Sequence, residues 1–140
     1  MSHVDPRLVA LSDGHDHIRV DAALLRGRIG RGDIAGARRC FDAFRADLEA
    51  HMGEEENGVF ATLAAMEEFG ATIARLKSEH DWARRTLVRA AAETDDRVWV
   101  DIVEALLSGF SLHELEEETD LFPAAEVALP LPVGPGPPVG

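Results

Sequence analysis

Several common chemistries are closed to this chain by what it lacks. A single cysteine, Cys40, among 140 residues leaves no partner for an intramolecular disulfide and no thiolate cluster for a metal. Cys40 itself is expected to pack as a small apolar side chain in a helix. Tyrosine is absent, so the chain cannot generate a tyrosyl radical. Lysine and arginine number 14 against 26 acids, a formal net charge of −12. That balance removes the basic surface needed for nucleic acid and for anionic lipid, and part of it is an ordinary solvated surface. No apolar run is long enough to span a bilayer. Residues 1–11 carry no basic stretch followed by an apolar one, so no secretory signal is expected and a reducing cytoplasm is the expected location. Proline is scarce too, with five of the seven lying beyond Leu129.

What remains is helix-forming. Alanine, leucine, glutamate and arginine are plentiful, and the length suits one domain with one core. Apolar spacing and punctuation predict four helices. The first runs from about Ser12 to Ile29 and ends at Gly30-Arg31-Gly32-Asp33. The second follows Asp33 as N-cap to about Met66, the third runs from about Gly70 to Thr94, and the fourth carries a stripe from Trp99 to Leu121 and ends near Pro123 or a turn beyond. Short connections make neighbours antiparallel, so the expected fold is an all-α, up-down-up-down four-helix bundle, with the first and third helices diagonal, and likewise the second and fourth. Residues 1–11 are expected to be an N-terminal extension, 12–128 the bundle, and 129–140 a Pro/Gly-rich disordered tail. The tail has P-x-x-P spacings but no flanking basic residue, so an SH3-type ligand role is not expected.

The chain also repeats itself. His51-Met-Gly-Glu-Glu55-Glu-Asn-Gly-Val-Phe60 returns as His113-Glu-Leu-Glu-Glu117-Glu-Thr-Asp-Leu-Phe122. Each copy is preceded by an acid–His pair, Asp16-His17 and Glu79-His80, with a leucine seven residues on, Leu24 and Leu87. His17 and His51 lie 34 residues apart, His80 and His113 33. The order His, His-x3-Glu therefore occurs twice, which gives the bundle an approximate internal two-fold axis. His51, Glu55, His80, His113 and Glu117 fall on the apolar stripes of their helices, where leucine would be the neutral choice.

Residues four apart on a helix lie one above the other, so a His-x3-Glu pair can address one metal or two that share a bridge. Four imidazoles and two carboxylates suit two ions about 3.5–4 Å apart, with the glutamates bridging and coordination positions left open. Imidazole and carboxylate without thiolate favour iron or manganese, with zinc admitted by affinity alone. Without a metal, four histidines and two glutamates in a core would destabilise the fold. No Glu-x2-His occurs in the chain, which excludes the ferritin-type di-iron pattern.

In Asp16-His17, His51-x3-Glu55 with Phe60, Glu79-His80, and His113-x3-Glu117 with Leu121-Phe122-Pro123, the chain resembles the hemerythrin-like family, the HHE cation-binding domains. The resemblance covers about Ser12 to Pro123. It implies a four-helix bundle around two iron ions bridged by carboxylates and an oxo or hydroxo group, with manganese or zinc as lesser alternatives. It further implies His17, His51, His80 and His113 as terminal ligands and Glu55 and Glu117 as bridges. The oxygen carriers of the family have a His-x3-His on the third helix and a His-x4-Asp on the fourth. Here Arg84 follows His80 at the fourth position and Glu118 stands five after His113, so the more symmetric bacterial and regulatory domains are the nearer match. O2, H2O2 or NO are the implied small-molecule ligands. The expected function is reaction with O2 or peroxide, as an oxidase, peroxidase or catalase-like protein. The alternative is non-enzymatic sensing of O2, redox state or iron, or iron storage.

Further expectations concern single residues. Asp21 and Arg84, each four after a candidate ligand histidine, are expected either near the metals, as an ion pair or with Asp21 as an added ligand, or as two solvated side chains. His15 could serve as a replacement fifth ligand, but it lies two residues from His17 and on another face, so a surface or helix-end position is expected. Glu54, Glu56, Glu116 and Glu118 are expected to face solvent or access paths, and Trp82 and Trp99 to be packing residues.

Overall fold

The computed structural model describes residues 4–130, and within them every regular element is helical. Helix α1, Pro6–Gly30, starts at Asp5, whose carboxylate accepts the Arg7 N–H, with Pro6 at the first position where a missing N–H costs nothing. It therefore begins six residues before Ser12. Leu8 and Leu11 are buried, so part of the expected N-terminal extension is the first turns of the bundle. A turn with Gly32 at φ +75° leads to Asp33, which accepts the Gly36 N–H at 2.9 Å and caps α2, Ile34–Asn57.

The second arm does not run unbroken to Met66. It breaks at Gly58 and resumes as the short α3, Val59–Ala64, before a 3₁₀ turn, Glu67–Phe69. Helix α4 is Gly70–Ala92, and Asp95 caps α5, Asp96–Glu116, by accepting the Arg97 and Val98 N–H groups. The fourth arm continues through a π-helical stretch, Glu117–Leu121, into α6, Phe122–Ala128. Pro123 gives the wide turn a cause, because its ring would collide with the carbonyl four residues back in a regular helix. Leu129, expected in the tail, is buried against the bundle, and residues 131–140 of the expected tail lie outside the described residues.

The four arms form an up-down-up-down bundle in which α1 packs on α2 and α5, and α4 on α5, α2 and α3. The core has two apolar halves. One holds Phe41, Phe44, Leu48, Leu87, Trp99 and Leu106, and the other Leu8, Phe60, Leu63, Ile73, Leu76 and Phe122. Between them lies a layer of buried polar residues to which all four arms contribute. Trp99 is wholly buried and stacks under the Arg38 guanidinium, a packing residue as expected, and Cys40 is half-buried at the edge of the core.

Candidate metal centre

The polar layer comprises His15 from α1, His51 and Glu55 from α2, His80 from α4, His113 from α5 and Glu117 from the start of the π-helical stretch. All six are buried. One ligand atom each from His15, His51, Glu55 and Glu117 lies within 4.8 Å of the others, and so it is for Glu55, His80, His113 and Glu117. The two groups share both glutamates, so two cations held there would have Glu55 and Glu117 in common. His15 Nε2 is 3.0 Å from Glu117 Oε1, and His80 Nε2 is 3.2 Å from Glu55 Oε1. His51 Nε2 and His113 Nε2 lie 3.3 and 3.4 Å from the glutamate four residues on in their own arms. Each arm loses regular α geometry just past its glutamate, at Gly58 in one and over Glu117–Leu121 in the other. The aromatic residues that follow then cover the histidines of the other helices. Phe60 stacks on His80 with ring centroids 5.3 Å apart, and Phe122 on His15 at 5.7 Å.

The donor set fits a cation better than it fits itself. His51 Nδ1 and Nε2, both Glu55 oxygens and Glu117 Oε2 are buried with no hydrogen-bond partner, although buried polar atoms ordinarily have one. His80 Nε2 and His113 Nε2 stand 3.1 Å apart, both aimed into the layer. In the protein alone, burial and then the charge of Glu55 push the Glu117 pKa up. Burial also pushes Glu55 up, but the neighbouring Glu117 and His80 outweigh it and hold Glu55 down. The two carboxyls thus shift in opposite directions, and Glu117 is the one that burial makes harder to ionise where no cation is near.

Outside the layer, carboxylates back most of the imidazoles. Glu118 meets His15 Nδ1 at 2.7 Å, Glu56 meets His80 Nδ1 at 2.7 Å, and Glu79 meets His113 Nδ1 at 2.7 Å. Burial lowers the His113 pKa, but Glu117 and Glu79 outweigh it and raise the value to about 9. His15 is likewise raised, with Glu117 and Glu118 overcoming burial. His51 has no such partner, and burial together with the charge on His15 takes it down to about 4.

Five of the six predicted ligand residues, His51, Glu55, His80, His113 and Glu117, come together; His17 does not. It lies on the surface, 70% exposed, with Nε2 3.1 Å from Asp47. His15 occupies the predicted place of His17. The reason is phase: Leu8, Leu11, His15, Ile18, Ala22, Leu25 and Ile29 are spaced alternately three and four apart and form the inner stripe of α1, while His17 and Leu24 point outward. A signal for this was present in the sequence. His15-Asp16-x2-Arg19 matches His80-Asp81-x2-Arg84, a longer correspondence than the acid–His dipeptide. In both copies the arginine pairs with the aspartate three residues before it, at 2.5 and 3.5 Å.

Asp21 and Arg84 do not pair. Asp21 faces Asp47 beside His17, where burial and then the neighbouring Asp47 raise its pKa to about 6. Arg84 instead holds Glu56 at 2.8 and 2.9 Å. Glu56 and Glu118, expected to face solvent or access paths, turn toward the histidines, whereas Glu54 is exposed and Glu116 pairs with Arg75.

An apolar pocket of about 200 Å³ reaches His80 and His113 between α4 and α5, lined by Trp82, Ala83, Gly109 and Phe110 with Glu79. The Trp82 ring lies where a Gly109 side chain would stand, 2.7 Å from an ideal Cβ, so glycine there makes room for it. A larger groove of about 480 Å³ between α1 and α5 is lined by Arg19, Arg26 and Glu114 and by Phe110, whose ring also meets those of His15 and His113. No helix among the described residues is long and apolar enough to cross a membrane.

The sequence profile of the hemerythrin HHE cation-binding domain matches residues 8–130. No curated protein and no solved structure shows a significant match to the chain.

Proposed function

Because the chain belongs to the hemerythrin HHE cation-binding family, we propose that it holds two iron ions and uses them to react with O2 or peroxide. The observation that carries this reading is the pair of four-residue groups sharing Glu55 and Glu117. His15 and His51 would complete one ion, His80 and His113 the other, with both glutamates between them. When bound, such a centre supplies redox-active iron with open coordination positions for a small ligand.

The chain's own residues do the rest. Phe60, Phe122 and Phe110 stack against His80, His15 and His113 and keep bulk water from the layer. Glu118, Glu56 and Glu79 accept the Nδ1–H protons of His15, His80 and His113, so that Nε2 is the ring atom each imidazole presents to the layer. The pocket beside Trp82 is small and apolar, which suits O2, NO or H2O2 rather than an organic substrate.

The test is the optical spectrum of anaerobically Fe2+-loaded protein, followed in time after O2 is added. Rapid conversion to a stable diferric spectrum, with steady-state loss of added peroxide, is the expected result. A charge-transfer band that persists and vanishes on deoxygenation would instead mean reversible binding, as in a carrier or sensor. No iron-dependent band would remove the di-iron reading.

A further inference from the structure

The internal two-fold axis equates His15 with His80, His51 with His113, Glu55 with Glu117, and Gly14 with Glu79. Three of the four imidazoles donate Nδ1–H to a carboxylate at 2.7 Å: His15 to Glu118, His80 to Glu56 and His113 to Glu79. The fourth cannot. At the place corresponding to Glu79 stands Gly14, and the buried His51 Nδ1 has no partner. Nor could an acid be accommodated there, because an ideal Cβ on Gly14 would lie 2.6 Å from His51 Nδ1. The His51 ring takes up the space that its own carboxylate partner would need.

A carboxylate behind an imidazole fixes its tautomer, holds its ring in place and raises its basicity toward a metal, and losing such a partner typically weakens binding about 10- to 100-fold. The His80/His113 position has both imidazoles so held, and the His15/His51 position has one. Building on the di-metal reading above, we propose that the two positions are unequal. The His80/His113 position binds its ion more tightly and fills first, and the His15/His51 position is the weaker, exchangeable one. Glu79 is the positioning residue that sets the order, acting through His113, and Gly14 is the reason for the asymmetry.

The experiment is a titration of the metal-free full chain with Co2+, followed by calorimetry and by the visible spectrum, with crystals grown at one equivalent and at two. Two binding steps about 10- to 100-fold apart are expected. Anomalous density at one equivalent should be concentrated between His80 and His113. Glu79→Ala should bring the steps together by weakening the first alone, and Glu79→Gln, which keeps an acceptor without the charge, should restore part of the gap. A merely structural role for Glu79 would lower the denaturation midpoint without changing the order of filling. That result overturns the proposal, as does equal density at both positions at one equivalent, or density first at His15/His51. Two ions bound with equal affinity would sink this inference and leave the di-metal reading intact, whereas no binding of Co2+ or Fe2+ would sink both.

Discussion

Replacing His15 and His17 separately by alanine tests the placement of α1 at its most consequential point. The two residues are separated by one position and share a residue type, yet the structure gives them opposite environments. The His15 ring is wholly buried, 3.0 Å from Glu117 and 2.7 Å from Glu118, and stacked on Phe122. Removing one partner from a buried ionic contact costs about 3–5 kcal/mol. The lower end applies here, because Glu117, pushed up by burial, can take up a proton instead. His17 makes only a surface contact with Asp47, of a kind worth at most about 1 kcal/mol. For a domain of this size 1 kcal/mol moves the melting temperature roughly 4 °C. Metal-free His15→Ala should therefore melt about 12 °C below the parent, and His17→Ala within about 4 °C of it. With metal, measured per chain by mass spectrometry, His15→Ala should lose or weaken one of two ions while His17→Ala keeps both. The placement is wrong if His17→Ala sheds metal and His15→Ala does not, or if the two variants melt alike.

Three other outcomes follow from the same geometry. Gly109→Ala puts a methyl where the Trp82 ring stands, 2.7 Å away, so the ring must leave its seat. Stability should fall by about 1–3 kcal/mol and the pocket beside His80 and His113 should change shape, read as altered xenon binding in crystals; unchanged xenon sites would refute it. Chelation should destabilise the protein, since a ligand at 100 times its Kd contributes about 2.7 kcal/mol per site; a melting temperature indifferent to metal would contradict the fit of the donor set. The metal-free protein should also show a pH optimum from two histidines. The folded pKa of His113 is raised from 6.5 to about 9, so its contribution is complete below about 6.5 and is lost as pH rises through 9. That of His51 is lowered from 6.5 to about 4, so stability is lost as pH falls from 6.5 through 4. Urea midpoints from pH 4 to 9 should peak near 6.5 and flatten on the alkaline side in His113→Gln; a midpoint that climbs steadily to pH 9 would refute the assignment.

The sequence made the bundle and the inward phase of three arms legible, because the apolar stripes through His51, His80 and His113 are long and keep their three- and four-residue spacing. It misled on α1, where the acid–His dipeptide drew Asp16-His17 into register with Glu79-His80. The apolar positions of that helix run through His15, and with a histidine on either side of the register a two-residue shift preserves the residue type while turning the side chain by about 200° at 100° per residue. The same slip carried Asp21 away from Arg84: four after His17 lies beside Asp47, while the true counterpart of Arg84 is Arg19. The breaks past Glu55 and Glu117 were less visible. Gly58 interrupts an arm that turns helical again at Val59, and a π-helical stretch has no composition of its own beyond the proline that follows it. The pairing of Glu56 and Glu118 with histidines of the opposite half depends on contacts between arms, which no spacing within one arm encodes.

Once α1 is placed correctly, the departures from two-fold symmetry fall on one side of the centre. Where α1 sets His17 against Asp47, a solvated polar contact, α4 sets Trp82 against Gly109, an apolar wall. Where α1 has Gly14 behind His51, α4 has Glu79 behind His113. Both differences occur within two residues of the histidine each helix contributes, and both favour the α4–α5 half: a small apolar pocket and fully backed imidazoles belong together there. If the proposed order of filling holds, the ion that binds first lies beside that pocket, and the exchangeable ion lies beneath the charged surface of α1. Metal occupancy of the weaker position would then change the shared carboxylates, Glu55 and Glu117, without disturbing the imidazoles that line the pocket. A singly loaded protein should therefore still admit xenon beside Trp82 and yet give no diferric spectrum with O2, a combination that a symmetric centre, half filled at random, would not produce.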